Sequence, residues 1–540
     1  MPTSSPYPAF DIPAVDLWGF MFESPRDGGF PVNTVIYRAL DDSRRYTYTD
    51  VKVTAQGFGN ALIDDLDWQR GDVLCVFSPN DVDYAPCVYG TLYAGGVVAP
   101  ANPGYSASEL AHILKDAGAK AIITQHGLLR VASEAAKIAN IPQTKIILIG
   151  ADTGPGGPAK HFTNMLKSSN SKGSGRVKLD PDTDLSFLAY SSGTTGLPKG
   201  VMLSHRNIIS DVLMVKHSVG HNYRSGEDRI LGVLPFFIST PLHRGIELVV
   251  MPQFNLDAFC EAVQRHKITF TYVAPPVLVQ LSRGPNVQKY DLSSLRMITS
   301  GAAPLTKELV AAVHSKLKLK VNQAYGLSET SPMTHTQPWE DWFDTVGSVG
   351  KLFPNMTAMY VSESGSEVPA GEKGELWLHG PNVFKGYWRN PEATANAITP
   401  DGFFKTGDVG MQDENHNFFI SDRVKELIKW NGFQVAPAEL EGLLLDCPLV
   451  QDVAVVGIYL EEQHTEAPRA YIVPAEGHSP SDELASEIQK WLDKRVAYYK
   501  KLRGGVRFID TVPKSQAGKI LRRVLKDMAK TENQPPKAKL

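Results

Sequence analysis

"YSSGTTGLPKG", Tyr190 to Gly200, packs two serines, two threonines, three glycines and one lysine into eleven residues, directly after the apolar run "LSFLA" (185–189). The apolar run reads as a buried strand. At that strand's end comes a loop rich in backbone N–H groups and hydroxyls, with one positive charge. Short β-branched runs recur around it: "AIIT" (121–124), "KIILIG" (145–150), "ITFTYVAPP" (268–276) and "LRMITSGAAP" (295–304). They alternate with amphipathic stretches of helical length, "LAHILKDAGA" (110–119), "DAFCEAVQRH" (257–266) and "LTKELVAAVHSKL" (305–317). This rhythm predicts parallel sheets covered by helices. "SGAAP" and "AYGLSE" again place glycine and polar groups at carboxyl ends of strands, where open α/β sheets bind their ligands.

After about residue 340 the pattern becomes strand-rich and turn-punctuated, as in "KGELWLHG" (373–380). "SDRVKELIKWNGFQVAP" (421–437) then introduces a last block with its own strands, "DVAVVGI" and "RAYIVPA", and an amphipathic helix near "DELASEIQKWLDKRV". The expected fold class is therefore α/β. A large amino-terminal domain, residues 1–422, holds helix-covered, mainly parallel sheets and a β-rich subdomain; a small α+β domain, residues 423–540, comes after a hinge near Asp422. No internal repeat is visible, and "KSSNSKGSGR" (167–176) is a surface loop by composition.

Composition narrows the function. The chain has 540 residues, 42% of them apolar, with 55 basic against 58 acidic residues and a formal charge of -3. That balance lacks the basic footprint expected of a nucleic-acid partner. Cys75, Cys87, Cys260 and Cys447 are far apart and form no C-x-x-C, so neither a zinc site nor a disulfide framework is suggested. No apolar stretch approaches the roughly 20 residues of a membrane span, and "MPTSSPYPAF" lacks the basic start and apolar core of a secretory signal.

The chemistry of the 190–200 stretch is anion binding. Successive N–H groups in a glycine-rich turn form a nest, hydroxyls add donors, and a lysine neutralises phosphate charge. The common P-loop is excluded, because Lys199 comes after Pro198 and precedes Gly200, so the G-K-[ST] ending is missing.

Together with "SGAAPL" (300–305), "QAYGLSET" (323–330), "FFKTGD" (403–408), "DRVKELIKWNGFQVAPAELE" (422–441) and "PKSQAGKILRR" (513–523), in that order, the stretch resembles the adenylate-forming superfamily. That superfamily includes acyl-CoA synthetases, 4-coumarate:CoA ligases, firefly-type luciferases and the adenylation domains of peptide synthetases. "PNDVDY" and "GGVVAPANPGY" look like the 4-coumarate:CoA ligase branch. The resemblance implies that ATP converts a carboxylic acid into an acyl-AMP with release of pyrophosphate, and that the thiol of coenzyme A then takes the acyl group. Two anions must meet in the first step, so cationic groups and a metal have to offset their repulsion.

By resemblance, Ser191, Ser192, Gly193, Thr194, Thr195 and Lys199 hold the β- and γ-phosphates, and Glu329 helps place Mg²⁺, which favours carboxylate and phosphate oxygens. Lys519 matches the mobile lysine that reaches both the substrate carboxylate and the α-phosphate, and Ser328 donates to the α-phosphate. Tyr325 offers adenine an aromatic face, with Gly301, Ala302, Gln323 and Gly326 supplying close backbone approach or amide contacts. Asp408 and Arg423 match the pair that holds the ribose hydroxyls. Lys425 and Lys429 carry over from the hinge motif, and Gly432 keeps the backbone bare along the pantetheine tunnel. The small domain is implied to present Lys519 for adenylation, then to rotate about Asp422 and bring "WNGFQ" (430–434) to the adenylate.

Three features depart from the family or add to it. "LPFF" (234–237) passes straight to "ISTPLHRGIEL", shorter than in coumarate ligases and without their aromatic-gate histidine; His243 lies out of register and takes no role. Gln253 and Asn431 stand where many relatives have lysines facing CoA phosphates. The sequence therefore leaves alternatives open: loading of a carrier protein, a luciferase-like oxygenase, or a nucleotide-binding paralogue without catalysis. Ala538, Lys539 and Leu540 have the small, basic, leucine form of a peroxisomal address, with an import receptor as the expected partner.

Overall fold

The computed structural model describes residues 2–532 except 153, 155–156, 167–174, 192–197, 235–238, 302–304, 424–425, 432, 461–464 and 515–519. Ser192, Gly193, Thr194, Thr195, Ala302, Lys425, Gly432, Lys519, the shortened segment after Leu234 and the final Ala538, Lys539 and Leu540 thus lie outside the described residues.

Two helix-covered sheets form the centre of the large domain. The first runs Lys199–Ser204, Leu185–Ser191, Val97–Ala101, Val73–Phe77, Ala119–Thr124, Ile146–Leu148 and Lys160–His161. All neighbours are parallel except the Leu185–Ser191 and Lys199–Ser204 hairpin. The second has nine strands, in the order Lys351–Leu352, Met333–Thr336, Val321–Gly326, Met297–Ser300, Phe270–Val273, Arg229–Gly232, Glu247–Val250, Val35–Ala39 and Arg45–Thr47. Its middle is parallel and its edges antiparallel. Uninterrupted apolar runs such as "VLCVF" are what a strand buried on both faces requires, and Val73–Phe77 is buried throughout.

Covering helices start at sequence-encoded caps. Thr47 with Asp50, Ser106 with Glu109, and Ser204 with Asn207 form reciprocal capping boxes, and Gly118 ends the Ala107–Ala117 helix at φ 66°. Helices Tyr48–Leu66 and Tyr84–Tyr93 cross where glycine meets glycine: a Cβ on Gly90 would sit 2.6 Å from the Ala55 carbonyl oxygen. A third, antiparallel sheet holds Thr3–Ser4, Thr357–Val361, Gly374–His379, Phe404–Gln412 and Phe418–Arg423, with Glu367–Val368 beside Thr357–Val361.

The small domain pairs Ile428–Trp430 with Phe433–Val435 and builds a second sheet from Val450–Leu460, Thr465–Pro474 and Val506–Phe508. Helices Pro437–Leu445, Asp482–Asp493 and Arg522–Glu532 cover it. Its core, with Val435, Leu440, Val455, Ile472 and Ile488 almost fully buried, is separate from that of the large domain. Among the described residues no helix is long and apolar enough to cross a membrane.

Candidate active site

Neighbouring strands of the second sheet bring together several of the residues expected to face a nucleotide. Tyr325 and Gly326 lie at the carboxyl end of Val321–Gly326, Gln323 sits mid-strand opposite Ser300, Gly301 comes directly after Met297–Ser300, and Ser328 and Glu329 occupy the short turn Ser328–Thr330. Glycine is required at 326, because a Cβ there would stand 1.9 Å from the Pro332 carbonyl oxygen. Gln323 is buried and accepts a hydrogen bond from the Gly347 N–H at 2.8 Å, tying the strand to a later segment of the chain.

Asp408 and Arg423 are directly opposite on antiparallel strands of the third sheet. Arg423 Nε lies 3.1 Å from Asp408 Oδ1, and the Tyr325 hydroxyl donates to Asp408 Oδ2 at 2.5 Å. One carboxylate thus fixes both a guanidinium and an aromatic ring from a different sheet. Burial and then the Asp408 charge push the Tyr325 hydroxyl well above its ordinary pKa, so it stays a donor. Burial opposes the charge of Arg423, but Asp408, Glu426 and Glu329 outweigh it and raise its pKa.

Ser191 and Lys199 are cross-strand partners, which places the two ends of the 190s stretch together at the carboxyl end of Leu185–Ser191. Segment 385–388 lies along the outgoing arm: Lys385 N–H donates to the Met202 carbonyl at 2.9 Å and Trp388 N–H to that of Gly200 at 2.8 Å. This alignment positions Tyr387, a residue that no sequence motif singles out. Lys199 Nζ stands 5.0 Å from the Tyr387 ring centroid, and the Tyr387 hydroxyl donates to Glu329 Oε1 at 3.0 Å. The ring therefore joins the lysine of the first sheet to the carboxylate of the second. Glu329 also acts electrostatically on Arg423, so the two clusters lie within reach of one carboxylate's charge.

Lys429 sits elsewhere, exposed on the two-stranded ribbon of the small domain, with its N–H donating to Glu466 Oε2 at 2.9 Å. Asn431, next along the ribbon, adopts a left-handed φ of 44°, which asparagine tolerates better than lysine. Gln253 is exposed on the large domain. His243 is buried and stacks on Phe20 at 4.6 Å; burial drives its pKa down to about 4, as for a neutral core histidine.

Comparison with known proteins places this geometry in a family. The model for the AMP-binding enzymes matches residues 27–388, and that for the AMP-binding enzyme C-terminal domain matches residues 439–519. The chain belongs to the AMP-binding enzyme family. It is 38% identical to probable 4-coumarate–CoA ligase 1 of Dictyostelium discoideum over 88% of each chain. It is 36% identical to 4-coumarate–CoA ligase 2 of Solanum tuberosum over 90% of this chain and 89% of that one. Among solved structures it resembles ATP-bound MatB from Rhodopseudomonas palustris, with a TM-score of 0.82 and 26% identity across 97% of this chain and 100% of that one.

Proposed function

We propose that this AMP-binding enzyme is an acid–thiol ligase, activating a carboxylic acid with ATP as an acyl-AMP and passing the acyl group to coenzyme A. The carrying observation is the Tyr325–Asp408–Arg423 cluster joined electrostatically to Glu329, Tyr387 and Lys199. Relatives named as 4-coumarate–CoA ligases over nearly their whole length favour CoA as acceptor over a carrier protein, and an active ligase over a silent paralogue.

Asp408 accepts the ribose hydroxyls, Arg423 holds that carboxylate, and Tyr325 stacks on adenine. Ser191 through Thr195, with Lys199, cradle the β- and γ-phosphates, and Ser328 donates to the α-phosphate. Glu329 fits Mg²⁺, since a carboxylate oriented by one hydroxyl is a hard oxygen ligand; bound there, the ion would offset phosphate charge. Lys519 bridges the two reacting anions from the small domain, which pivots at the junction of Asp422 and Arg423. The acid itself is a small molecule of the aromatic or medium-chain kind. Ala538, Lys539 and Leu540 are read by a peroxisomal import receptor, so a fluorescent fusion should lose its peroxisomal pattern when they are deleted.

The deciding assay is ATP–pyrophosphate exchange over aliphatic and aromatic acids, then mass detection of thioester with and without CoA. Acid-dependent exchange with a thioester formed only when CoA is present is the expected result. Exchange without any thioester would remove CoA from the reaction.

A further inference from the structure

Asp116 is a carboxylate that stands where a helix does not favour one. It lies in the last turn of helix Ala107–Ala117, beside Lys115 and two residues before the Gly118 cap. The negative end of a helix dipole suits a cation and opposes an acid, so the placement costs some helix stability. Its side chain is half-buried and bonded: the Tyr190 hydroxyl donates to Asp116 Oδ2 at 2.6 Å. Burial, and then the bond to Asp116 and its charge, push the Tyr190 hydroxyl above its ordinary pKa, so it remains the donor. The main chain of the same residue makes a second set of contacts. The Asp116 carbonyl, one of the four that a helix leaves free at its end, accepts Trp388 Nε1–H at 3.0 Å and Arg389 Nη1–H at 3.1 Å.

Both arms lead to the candidate active site. Tyr190 pairs with Gly200 across the hairpin, one step from the Ser191 and Lys199 pair. A side chain at 200 would crowd the tyrosine ring, since a Cβ there would stand 3.3 Å from Tyr190 Cζ and 3.1 Å from Trp388 Cβ. The Trp388 N–H donates to the Gly200 carbonyl at 2.8 Å, so Tyr190, Gly200 and Trp388 form one packed unit. Arg389 continues it, with its guanidinium 5.2 Å from the Trp388 ring centroid and a left-handed φ of 52°, a conformation that persists in an arginine where surrounding contacts enforce it. Directly before Trp388 comes Tyr387, which carries Lys199 on its ring and Glu329 on its hydroxyl. One residue of a covering helix thus clamps both the strand that pairs with Lys199 and the segment that bears Tyr387.

We propose that Asp116 is a positioning residue for the Lys199–Tyr387–Glu329 cluster, holding it in register for the β- and γ-phosphates of ATP through Tyr190 on one side and the 388–389 segment on the other. This rests on the reading in which Lys199 and Glu329 attend the phosphates and their metal. Asp116 is bonded to Tyr190, Trp388 and Arg389 rather than to Lys199 or Glu329, so its effect is indirect. Without the Tyr190 bond the lysine's charge is spread over more positions, and a loosely held donor binds phosphate less well than one fixed in place. Ribose and adenine are held from other strands by Asp408 and Tyr325 on the same reading, so they do not feel the change.

The experiment is calorimetric titration of the full chain with ATP and Mg²⁺ and, separately, with AMP, which lacks the β- and γ-phosphates. The variants are Asp116→Ala, Asp116→Asn, Tyr190→Phe and Asp116→Ala combined with Tyr190→Phe. Asp116→Ala and Tyr190→Phe should each raise Kd for ATP by about 3- to 10-fold, the loss of one charge-assisted hydrogen bond felt at second hand, and leave that for AMP unchanged. Asp116→Asn still offers an acceptor oxygen and should recover most of the ATP affinity. The combined variant should lose no more than the larger single loss, because both changes break the same bond. Equal weakening of ATP and AMP, an unchanged Kd for ATP, or additive losses in the combined variant overturns the positioning role. Lys199→Ala separates this from the phosphate reading. If it leaves the ratio of ATP to AMP affinity unchanged, the phosphate assignment falls and the positioning role with it; if it lowers the ratio while Asp116→Ala does not, only the positioning role falls. Should Asp116→Ala fail to fold, Tyr190→Phe, which removes a single oxygen, decides by the same ratio.

Discussion

Arg522→Met should loosen the small domain in a way that depends on pH. Arg522 opens helix Arg522–Glu532 and, among the described residues, is the cation in direct contact with two buried carboxylates. Its Nη1 lies 2.9 Å from Glu426 Oε2 and its Nη2 2.6 Å from Glu441 Oε2. Glu441 also accepts the Val455 N–H at 2.8 Å. Nearby Asp422 accepts the N–H groups of Ala438 at 2.9 Å and Arg423 at 2.7 Å. Burial raises Glu441 to about 7 and Asp422 to about 6, against the pull of Arg522. For Glu441, a rise from 4.5 to about 7 means that its ionised form is disfavoured in the fold by about 3 kcal/mol. Native carboxyls then bind protons more tightly than unfolded ones, so their contribution to stability is full below about pH 4. It declines as pH rises to about 6 for Asp422 and about 7 for Glu441.

Removing the arginine leaves these carboxylates without their counter-charge. Breaking a buried pair from one side costs on the order of 3–5 kcal/mol, and that loss applies above pH 7, where the wild-type groups are ionised. At pH 5 Glu441 and Asp422 are protonated in both proteins, and the loss should fall by at least half. Hydrogen exchange of Pro437–Leu445 and Val450–Leu460, corrected for intrinsic rates, reads the opening free energy of this region directly. A loss under about 1 kcal/mol at pH 8, or an equal loss at pH 5 and pH 8, would refute the electrostatic account of the network.

Asp408→Ala deletes a charged acceptor and strands both the Tyr325 hydroxyl and Arg423, so KM for ATP in the exchange assay should rise about 10- to 100-fold, from roughly 1.5–3 kcal/mol for a charged hydrogen bond. Tyr387→Phe keeps the ring over Lys199 but frees Glu329 from its donor; the Mg²⁺ concentration for half-maximal exchange should shift by about 3- to 10-fold, and no shift would dissociate Glu329 from the metal. Lys519→Ala should slow acyl-AMP formation by about 10²- to 10³-fold while largely sparing thioester formation from supplied acyl-AMP, and equal loss in both half-reactions would contradict the division of labour between the domains.

The alternation of apolar runs and amphipathic stretches is enough to announce the parallel sheets, because burial on both faces leaves a local mark in each strand. "AIIT" falls within Ala119–Thr124 and "LTKELVAAVHSKL" holds the helix Lys307–Leu317. Asp408 and Arg423 stand out only through their motifs; their contact depends on the register of two antiparallel strands, which no periodicity encodes. Tyr387 is invisible in the sequence for a related reason. Its link to Glu329 exists because the 385–388 segment aligns with Gly200 to Met202, a pairing between distant parts of the chain that leaves only an aromatic in "FKGYWRN" as its local trace.

The register that brings Asp408 to Arg423 also constrains how a two-step ligase can use its small domain. Arg423 is the last residue of a strand of the large domain's third sheet, and Asp422 beside it accepts the Ala438 N–H at the first turn of helix Pro437–Leu445. On the proposed reading the ribose anchor therefore sits at the pivot itself. A rotation there sweeps the far parts of the small domain through large arcs but barely moves Arg423, so AMP stays held while the groups facing it are exchanged. The bond to Ala438 is the one that must turn with the helix or break, and a pivot carboxyl already raised to about 6 by burial can lose that N–H as a neutral acid more cheaply than as a buried anion. The rate of domain exchange should accordingly rise as pH is lowered through about 6, and a pH-independent rate between 5 and 8 would place the pivot elsewhere.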